Sequence, residues 1–280
     1  MQRLLLVDGH CLLFQMFYGM PARILGKHGK PIQGTLGFVG AMRKIIAMTQ
    51  PSHIAVIFDG EVHNPRNDLD ADYKANREDY LQMSEEKIPF SQLPDIYRAL
   101  DLMGITHTET TDCETDDVLA AYAKAYGDTC EVIICSQDSD YFQLIGDQVT
   151  VLRYRGDKSV VCNQAYIREK YNVDPTQYAF FKSLTGDGSD NIKGIPGAGP
   201  KTAAALVKQF GSPENLVQNA EQIKQPKLRE SVLQNTDRLR LNLQLITLNG
   251  SAAMPFTPDQ MQCRICTATT NEILTQIGIR

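Results

Sequence analysis

The sequence predicts an α/β fold in which a mainly parallel, twisted sheet flanked by helices is followed by a helical region. Three short apolar runs indicate buried parallel strands: Leu4–Val7, Ala55–Phe58 and Val132–Cys135. Amphipathic helical patterns stand between these runs, and strands that alternate with helices are typical of a parallel sheet. The strand patterns end at about residue 170, so the rest of the chain is expected to be helical.

The other elements follow from side-chain spacing. Leu36, Val39 and Ile46 mark one amphipathic helix, and apolar residues at i, i+3, i+4 and i+7 predict another around Leu93–Met103. Two weaker strand candidates are Val149–Leu152 and Val160–Cys162. Further helices are predicted at Val118–Ala125, Thr202–Phe210 and the leucine-rich segment Leu228–Leu248. Asp174-Pro175 marks a boundary between regions 1–173 and 174–280. The hydrophilic segment 61–92 is too long for a simple connection, which predicts a functional loop.

Composition and charge argue against a membrane protein but do not decide whether the chain binds nucleic acid. The chain has 280 residues, 42% of them hydrophobic, and a formal net charge of -5. A slightly acidic balance argues mildly against nucleic acid, although the basic residues are in excess once the acidic cluster described next is set aside. Seven scattered cysteines without a leader predict reduced thiols and a cytoplasmic location. No apolar run is long enough to span a membrane, so we expect no membrane partner.

Acidic residues fall where the predicted strands end. Asp8 and Asp59 follow the first two strands, and the third runs into Asp138 and Asp140. The carboxyl ends of parallel strands open onto one crevice where ligands bind. Further acids begin a helix or occupy a glycine-rich turn: Glu114, Asp116, Asp117, Asp187 and Asp190. Each alone has a plain alternative as a helix cap or turn residue, but the combination predicts a single site.

Electrostatics predict what this site contains. Two carboxylates about 4 Å apart repel by about 4 kcal/mol at an effective dielectric near 20. Repulsion among this many carboxylates would exceed the typical stability of a domain, about 5–15 kcal/mol. They must therefore be protonated or bind cations. Oxygen-only ligands favour Mg²⁺ or Mn²⁺, and two such ions about 3.5–4 Å apart suit hydrolysis of a phosphodiester.

Six motifs, in this order and spacing, resemble the 5' nuclease family over roughly residues 3–250. That family includes the N-terminal nuclease domain of bacterial DNA polymerase I and stand-alone flap endonucleases. The motifs are Leu6-Val7-Asp8-Gly9, Phe58-Asp59-Gly60, Tyr73-Lys74-Ala75-Asn76-Arg77, Glu114-Thr115-Asp116-Asp117-Val118-Leu119, Asp138-Ser139-Asp140-Tyr141-Phe142-Gln143-Leu144 and Thr185-Gly186-Asp187-Gly188-Ser189-Asp190-Asn191-Ile192. Since no polymerase region follows before Arg280, we expect a stand-alone member.

The resemblance implies a fold and a ligand set. It implies a PIN-like nuclease domain over 1–173, with a helical arch in 61–92, and a helical DNA-binding module over 174–280. The module would contain a helix-hairpin-helix, also called a helix-three-turn-helix. The first metal ion would be held by Asp8, Asp59, Glu114 and Asp116. The second would be held by Asp138, Asp140, Asp187 and Asp190, with Asp117 close by.

The chain departs from the family pattern at a few positions. Gln15 stands where a basic residue is common in the first helix, which puts one phosphate contact in question. Pro65-Arg66-Asn67 keeps only the arginine of a common Phe-Arg-His. Thr115 replaces a usual alanine, and Ser139 replaces a frequent lysine. None of these changes removes a predicted metal ligand.

The segment 61–92 contains candidate groups for nucleic acid. Tyr73, Arg77 and Tyr80 are spaced i, i+4 and i+7, with Lys74 beside them, so a helix would place rings and cations on one side. An ordinary solvated helix is an equal alternative from spacing alone. The resemblance implies that Lys74 and Arg77 stabilise charge in the transition state. It also implies that Arg66 and the two tyrosines contact DNA.

The glycine-rich run 194–199 leads into a helix. Glycines let backbone N–H groups approach a phosphate, although a plain helical hairpin is the commoner meaning of such a run. Here the run resembles a helix-hairpin-helix, which implies non-specific contact with duplex backbone and bound K⁺. The residues assigned to this contact are Lys193, Gly194, Gly197, Gly199, Lys201 and Lys208.

The sequence as a whole predicts a monomeric, structure-specific 5' nuclease. Its substrates would be DNA with 5' flaps, nicks or free 5' ends, cut with two divalent metal ions. A PIN-type ribonuclease and a non-catalytic branched-DNA-binding protein are the alternatives.

Overall fold

The computed structural model describes residues 2–20, 22–60, 65–76, 87–264 and 266–280. A six-stranded sheet has the order β3-β2-β1-β4-β5-β6, and every neighbouring pair is parallel except β5 and β6. A two-stranded antiparallel hairpin, β7-β8, lies outside it. The strands are β1 Arg3–Asp8, β2 His53–Phe58, β3 Thr106–Glu109, β4 Glu131–Cys135, β5 Val149–Arg153, β6 Val160–Cys162, β7 Gly186–Asp187 and β8 Ile192–Lys193.

The expected α/β class is confirmed, and so are the five strands predicted from apolar runs. Strand β3 was missed because its four residues, Thr-His-Thr-Glu, are polar and only partly buried at the edge of the sheet. The β7-β8 hairpin was also missed because each of its strands has only two residues. The expectation that strands end at about residue 170 is therefore wrong for this hairpin.

Twelve α-helices surround or follow the sheet within the described ranges. They are α1 Gly9–Gly19, α2 Gln33–Thr49, α3 Pro65–Leu69, α4 Leu93–Met103, α5 Thr115–Tyr126, α6 Gln164–Tyr171, α7 Tyr178–Thr185, α8 Pro200–Phe210, α9 Pro213–Gln218, α10 Pro226–Gln234, α11 Thr236–Ile246 and α12 Thr270–Gln276. None of the helices that the structure describes is long and apolar enough to cross a membrane.

Alternating side chains bury both faces of the sheet. Leu4 and Leu6 of β1 pack into one apolar cluster with helices α5, α7 and α8. Leu5 and Val7 point to the other face, where they pack with α1, α2, α4 and α12. A strand with both faces covered reads as a continuous apolar run, which is why the central strands were recognisable in the sequence.

The segment 61–92 is described only in part. Residues 65–69 form the short helix α3, and residues 71–76 form turns rather than a continuous helix. Lys74 has a positive φ of 57°, and its N–H donates to the carbonyl of Asp190 at 3.0 Å. This left-handed backbone ends any helical register through Tyr73. Arg77 and Tyr80 lie outside the described residues, and their predicted roles stay predictions.

The helical region is joined to the β7-β8 hairpin by one buried amide. The Asn242 side chain of α11 donates to the carbonyls of Ser183 at 2.9 Å and Lys193 at 2.8 Å. Asn242 is fully buried, so its amide N–H groups cannot bond to water and depend on these two carbonyls. Helix α11 therefore bonds to helix α7, which precedes the hairpin, and to strand β8, and these two elements flank Asp187 and Asp190.

Candidate metal centre and nucleic-acid site

Adjacent strands bring the first acids together. Strands β2, β1 and β4 are neighbours, so Asp8 at the end of β1 lies between Asp59 and the turn after β4. Asp8 caps helix α1 by accepting from the N–H of Cys11 at 3.0 Å, and its other oxygen accepts from Ser136 Oγ at 2.9 Å. The following Gly9 leaves room for Phe58, whose ring would lie 2.5 Å from an added Cβ.

The start of helix α5 adds a second group of acids. Asp59 Oδ1 accepts from the N–H of Thr115 at 2.7 Å, which draws the start of α5 against the end of β2. The Tyr141 hydroxyl donates to Asp116 Oδ1 at 2.5 Å and approaches Asp8 Oδ2 at 3.5 Å. Tyr141 therefore ties the buried Asp8 and the partly exposed Asp116 to the turn that follows β4.

A third group combines the turn after β4 with the hairpin. One carboxylate oxygen from each of Asp140, Asp187 and Asp190 lies within 4.8 Å of the other two. Asp140 and Asp190 are buried, whereas Asp187 is partly exposed. Residues about fifty apart in sequence thus converge, as the predicted second site requires.

A buried lysine that the sequence did not single out lies within this third group. Lys182 of α7 forms ion pairs with both Asp140 and Asp187, and its side chain is only 6% exposed. Burial opposes its charge, but the attraction of Asp140 and Asp138 outweighs this and raises the pKa of Lys182. A lysine on the apolar Tyr178–Thr185 helix was the available sequence signal, because lysine is rarely buried unless it is paired.

Burial and neighbouring groups displace the pKa values of several of these carboxyls. Burial, together with the charge of Asp59, raises the pKa of Asp8 to about 7, and burial raises that of Asp140 to about 7 against the attraction of Lys182. Burial and the charge of Asp138 raise the pKa of Asp116 well above its usual value. At Asp59 the desolvation is outweighed by hydrogen bonds from His10 and Thr115, which lower the pKa to about 2.

Two cavities meet at these acids. One, of about 940 Å³, is lined by Asp8, Asp59, Lys74, Glu114, Asp116 and Asp138. The other, of about 660 Å³, is lined by Asp138, Lys182 and Asp187 among others. Asp138 lines both, so the first predicted ligand group and Asp187 of the second face adjoining spaces, whereas Asp140 and Asp190 are not among the lining residues of either cavity. The carboxylates around these cavities offer only oxygen ligands, and such hard donors fit divalent cations such as Mg²⁺.

Glu114 and Asp117 are neutralised by cations of the chain. Arg66 is buried, and its guanidinium contacts Glu114 at 2.5 Å and Asp117 at 2.8 and 3.0 Å. Asp117 also accepts from the N–H of Asn249 at 2.8 Å. Arg66 therefore orients carboxylates, and its contact with DNA stays a prediction. Asp117 stands behind the cavity lining rather than in it.

Lys74 and Tyr73 reach the same carboxylate from the described part of segment 61–92. Lys74 forms an ion pair with Glu114, and the Tyr73 hydroxyl donates to Glu114 at 3.4 Å. Lys74 Nζ also lies 4.8 Å from the centre of the Tyr73 ring. Tyr73 is buried, so it does not offer an exposed face for base stacking here.

An aromatic wall formed by His10, Phe14 and Phe90, which sequence spacing did not indicate, lines the larger of the two cavities together with the acids. His10 and Phe14 are one turn apart on α1, and Phe90 packs edge-on against both, with ring centroids 5.1 and 5.3 Å away. All three rings line the cavity. Aromatic rings that line a cavity can stack on nucleobases.

Backbone geometry and close packing explain the glycines of the predicted helix-hairpin-helix. Gly199 precedes helix α8, which begins with Pro200, and Gly197 has a positive φ of 85°. At Gly194 a Cβ would lie 2.4 Å from the backbone of Thr185, so no larger residue fits against α7. Lys193 and Lys201 are exposed, while Lys208 contacts Asn172. The module thus offers backbone N–H groups and lysines at a helix start.

Two family matches together span nearly the whole chain. Residues 3–172 match the 5'-3' exonuclease, N-terminal resolvase-like domain, and residues 173–269 match the 5'-3' exonuclease, C-terminal SAM fold. The chain belongs to the 5'-3' exonuclease family. The resemblance inferred from the motifs is therefore confirmed.

Bacterial DNA polymerases I are similar to this 5'-3' exonuclease family member in sequence. The thermostable DNA polymerase I of Thermus thermophilus is 36% identical over 263 residues, which is 94% of this chain and 30% of the polymerase. DNA polymerase I of Bacillus subtilis is 32% identical over 256 residues, which is 90% of this chain and 28% of the polymerase. The chain thus spans less than a third of the length of these relatives.

Solved nuclease structures share the fold. The T5 5'-exonuclease with bound divalent zinc ions has a TM-score of 0.74 and 23% identity, covering 89% of this chain and 90% of that one. The catalytic core of Rad2 with DNA substrate has a TM-score of 0.57 and 14% identity, covering 92% of this chain and 82% of that one. At these identities the likeness establishes the fold alone.

The raised pKa values of Asp8 and Asp140 predict how the stability of the metal-free protein depends on pH. Between about pH 5 and 7 the folded state keeps protons on Asp8 and Asp140 that the unfolded state, with pKa near 3.8, has lost. Stability in EDTA should therefore fall as pH rises through this window. The lowered pKa of Asp59 acts with the opposite sign, but only below about pH 4. Urea unfolding at half-unit pH steps measures this, and Asp8→Asn with Asp140→Asn should flatten the slope. A rise in wild-type stability from pH 5 to 7 would contradict the interpretation.

Lys182→Met should make folding dependent on divalent cations. Removing one member of a buried ion pair costs about 3–5 kcal/mol. The melting temperature in EDTA should fall by roughly 6–20 °C, at about 2–4 °C per kcal/mol. Saturating Mg²⁺ should restore much of this loss, because it neutralises the same carboxylates. Lys182→Arg, which keeps the charge, and the exposed Lys158→Met serve as controls. Equal losses of melting temperature with and without Mg²⁺ would show that Lys182 does not compensate the metal site.

Proposed function

We propose that this 5'-3' exonuclease family member is a structure-specific nuclease that hydrolyses DNA phosphodiesters at 5' flaps, nicks and free 5' ends. The observation that carries the proposal is the convergence of carboxylates from strand ends, helix α5 and the hairpin on two adjoining cavities. A basic residue, Lys74, lines the same space. Carboxylates and cations around one cavity suit a phosphodiester whose charge must be stabilised during displacement.

Two divalent ions, Mg²⁺ or Mn²⁺, are proposed to be held by the two groups of acids. Asp8, Asp59, Glu114 and Asp116 would hold the first, and Asp138, Asp140, Asp187 and Asp190 the second. When bound, such ions activate water and stabilise charge on the oxygens of the reacting phosphate. The cluster of Asp140, Asp187 and Asp190 supports the second assignment, and Asp117 supports the first only indirectly through Arg66.

The chain's own residues have separable proposed roles around the reacting phosphate. Lys74, together with Arg77, would stabilise its negative charge. The wall formed by His10, Phe14 and Phe90 would stack on a flanking base. Hairpin residues that would grip duplex backbone, with K⁺ bound nearby, are Lys193, Gly194, Gly197, Gly199, Lys201 and Lys208. Arg66, Tyr73 and Tyr80 are the remaining proposed DNA contacts.

We further propose that the chain acts as a monomer in the cytoplasm. The cytoplasmic location is supported by the cysteines, because none of the seven is paired in a disulfide. Proteins with unpaired thiols are typical of a reducing compartment.

A cleavage comparison tests the proposed function. A 5' flap, a nicked duplex, a single strand and a matched RNA flap are incubated with Mg²⁺ or EDTA. The proposal expects Mg²⁺-dependent cleavage of the DNA substrates near the branch or 5' end. Preferential cleavage of the RNA flap would favour a PIN-type ribonuclease. Binding of the flap without cleavage of any substrate would favour a non-catalytic branched-DNA-binding protein.

Asp138→Asn and Asp187→Asn should abolish cleavage while changing flap affinity only modestly, because each removes one ligand charge from the second ion. Exposed Asp157→Asn is the matched control and should cleave normally. Rates at saturating Mg²⁺ and equilibrium binding in EDTA measure the two effects. A near wild-type rate for either ligand variant would remove that residue from the metal site.

Lys74→Ala should lower the single-turnover rate more than the affinity for a 5' flap. Negative charge on the phosphate oxygens increases in the transition state, so a contact with the Lys74 ammonium should stabilise the transition state more than the bound substrate. By analogy with loss of one oxyanion donor, the rate should fall by about 10²–10³. Lys74→Arg should rescue it only in part, since a planar guanidinium does not replace a compact ammonium. If the saturated rate is normal and only affinity falls, Lys74 is a docking contact.

A further inference from the structure

A ridge separates the two cavities and continues outward to an exposed arginine. Cys11, Gln137 and Asp138 line both cavities and therefore form this ridge. A nucleic-acid strand that occupies both cavities has to cross it. The groups that border the ridge accordingly determine how the strand is held beside the acids.

Side-chain hydrogen bonds fix the ridge to the end of β5. Gln15 Nε2 and Gln137 Nε2 both donate to the carbonyl of Tyr154, at 2.6 and 2.9 Å. Arg153 donates to the carbonyl of Gln137, and Arg155 Nε donates to Gln137 Oε1 at 3.3 Å. Both arginines thus contact the residue that precedes Asp138.

Arg155 is also held by its own turn. Its N–H donates to Ser159 Oγ at 2.9 Å, and its carbonyl accepts from the N–H of Lys158 at 3.2 Å. Gly156 supplies the positive φ of 58° that this turn needs. The backbone under the exposed Arg155 side chain is therefore well defined.

The cations that line the cavities are otherwise engaged with protein groups. Lys74 and Lys182 form ion pairs with carboxylates, and the Arg153 guanidinium lies 5.0 Å from the centre of the Phe142 ring. The acids of the site repel the phosphates that flank the reacting one. Arg155 is exposed, and its contact with Gln137 uses Nε, so its terminal amino groups are outside that contact.

We propose that Arg155 is a positioning residue that binds a backbone phosphate next to the reacting one, on the strand that crosses the ridge. A guanidinium suits this role because it can donate two parallel hydrogen bonds to a phosphate. Gln15 lies on the helix α1 side of the same ridge and is uncharged. The positive charge at the ridge therefore comes from Arg155, in the turn after β5. This inference rests on the proposed function, because it needs DNA as the ligand.

The test is the salt dependence of binding to a labelled 5' flap in EDTA, where cleavage is prevented. Arg155→Gln should lower the slope of log affinity against log salt by about 0.9, the value for one phosphate contact. The factor by which affinity falls between 50 and 200 mM salt should then be about 3.5-fold smaller for Arg155→Gln than for the wild type. Exposed Arg98→Gln, which removes an arginine paired with Asp95 on α4, should leave the slope unchanged.

A second variant distinguishes phosphate binding from support of the turn. Gln15→Arg added to Arg155→Gln places a guanidinium on the other side of Gln137 and should restore the slope. Loss of slope without this rescue, or an unchanged slope for Arg155→Gln while the wild type binds, would overturn the assignment. Cleavage of the flap by the wild type in that case would leave the proposed function intact. Absence of both binding and cleavage in the wild type would overturn the proposed function itself.

Discussion

Repulsion among buried carboxylates is the constraint on which the rest of the structure depends. Asp140, Asp187 and Asp190 hold oxygens within 4.8 Å of one another. The pKa values of Asp140 and of Asp8 are both raised to about 7. Such an arrangement persists only if other interactions fix each acid. The strand ends of the sheet hold some of these acids, and the N-terminus of helix α5 is held against Asp59. Helix α11 anchors the hairpin through Asn242.

Cations of the chain relieve part of this repulsion, and they do so unevenly. Arg66 and Lys74 both pair with Glu114, and Lys182 pairs with Asp140 and Asp187. Asp8 and Asp116 receive hydrogen bonds from Ser136 and Tyr141 instead of a direct ion pair in the described contacts. Divalent cations would complete the neutralisation on both sides of the ridge. The same charges then make the cavities suitable for a phosphodiester.

Sequence patterns predicted the part of this arrangement that follows from periodicity. Doubly buried strands are continuous apolar runs, so Leu4–Val7 and Val132–Cys135 were recognisable, and the parallel order placed Asp8 near Asp59 and Asp138. Contacts between distant side chains left no such signal. Lys182 is one polar residue on an apolar helix, and nothing in the sequence around Arg66 indicates its buried contacts with Glu114 and Asp117. The turn at Lys74 depends on a tertiary bond to Asp190, which helical spacing does not encode.

The central claim is that this acidic cluster is a two-ion site, and direct counting of bound metal tests it. Equilibrium dialysis of the metal-free chain against Mn²⁺ measures stoichiometry without depending on cleavage. The account predicts two ions per chain. Asp187→Asn should weaken one of them selectively, and proton release should accompany binding at pH 6, because Asp8 and Asp140 must deprotonate. Binding of no Mn²⁺ at millimolar concentration, with all carboxylates intact, would contradict the account.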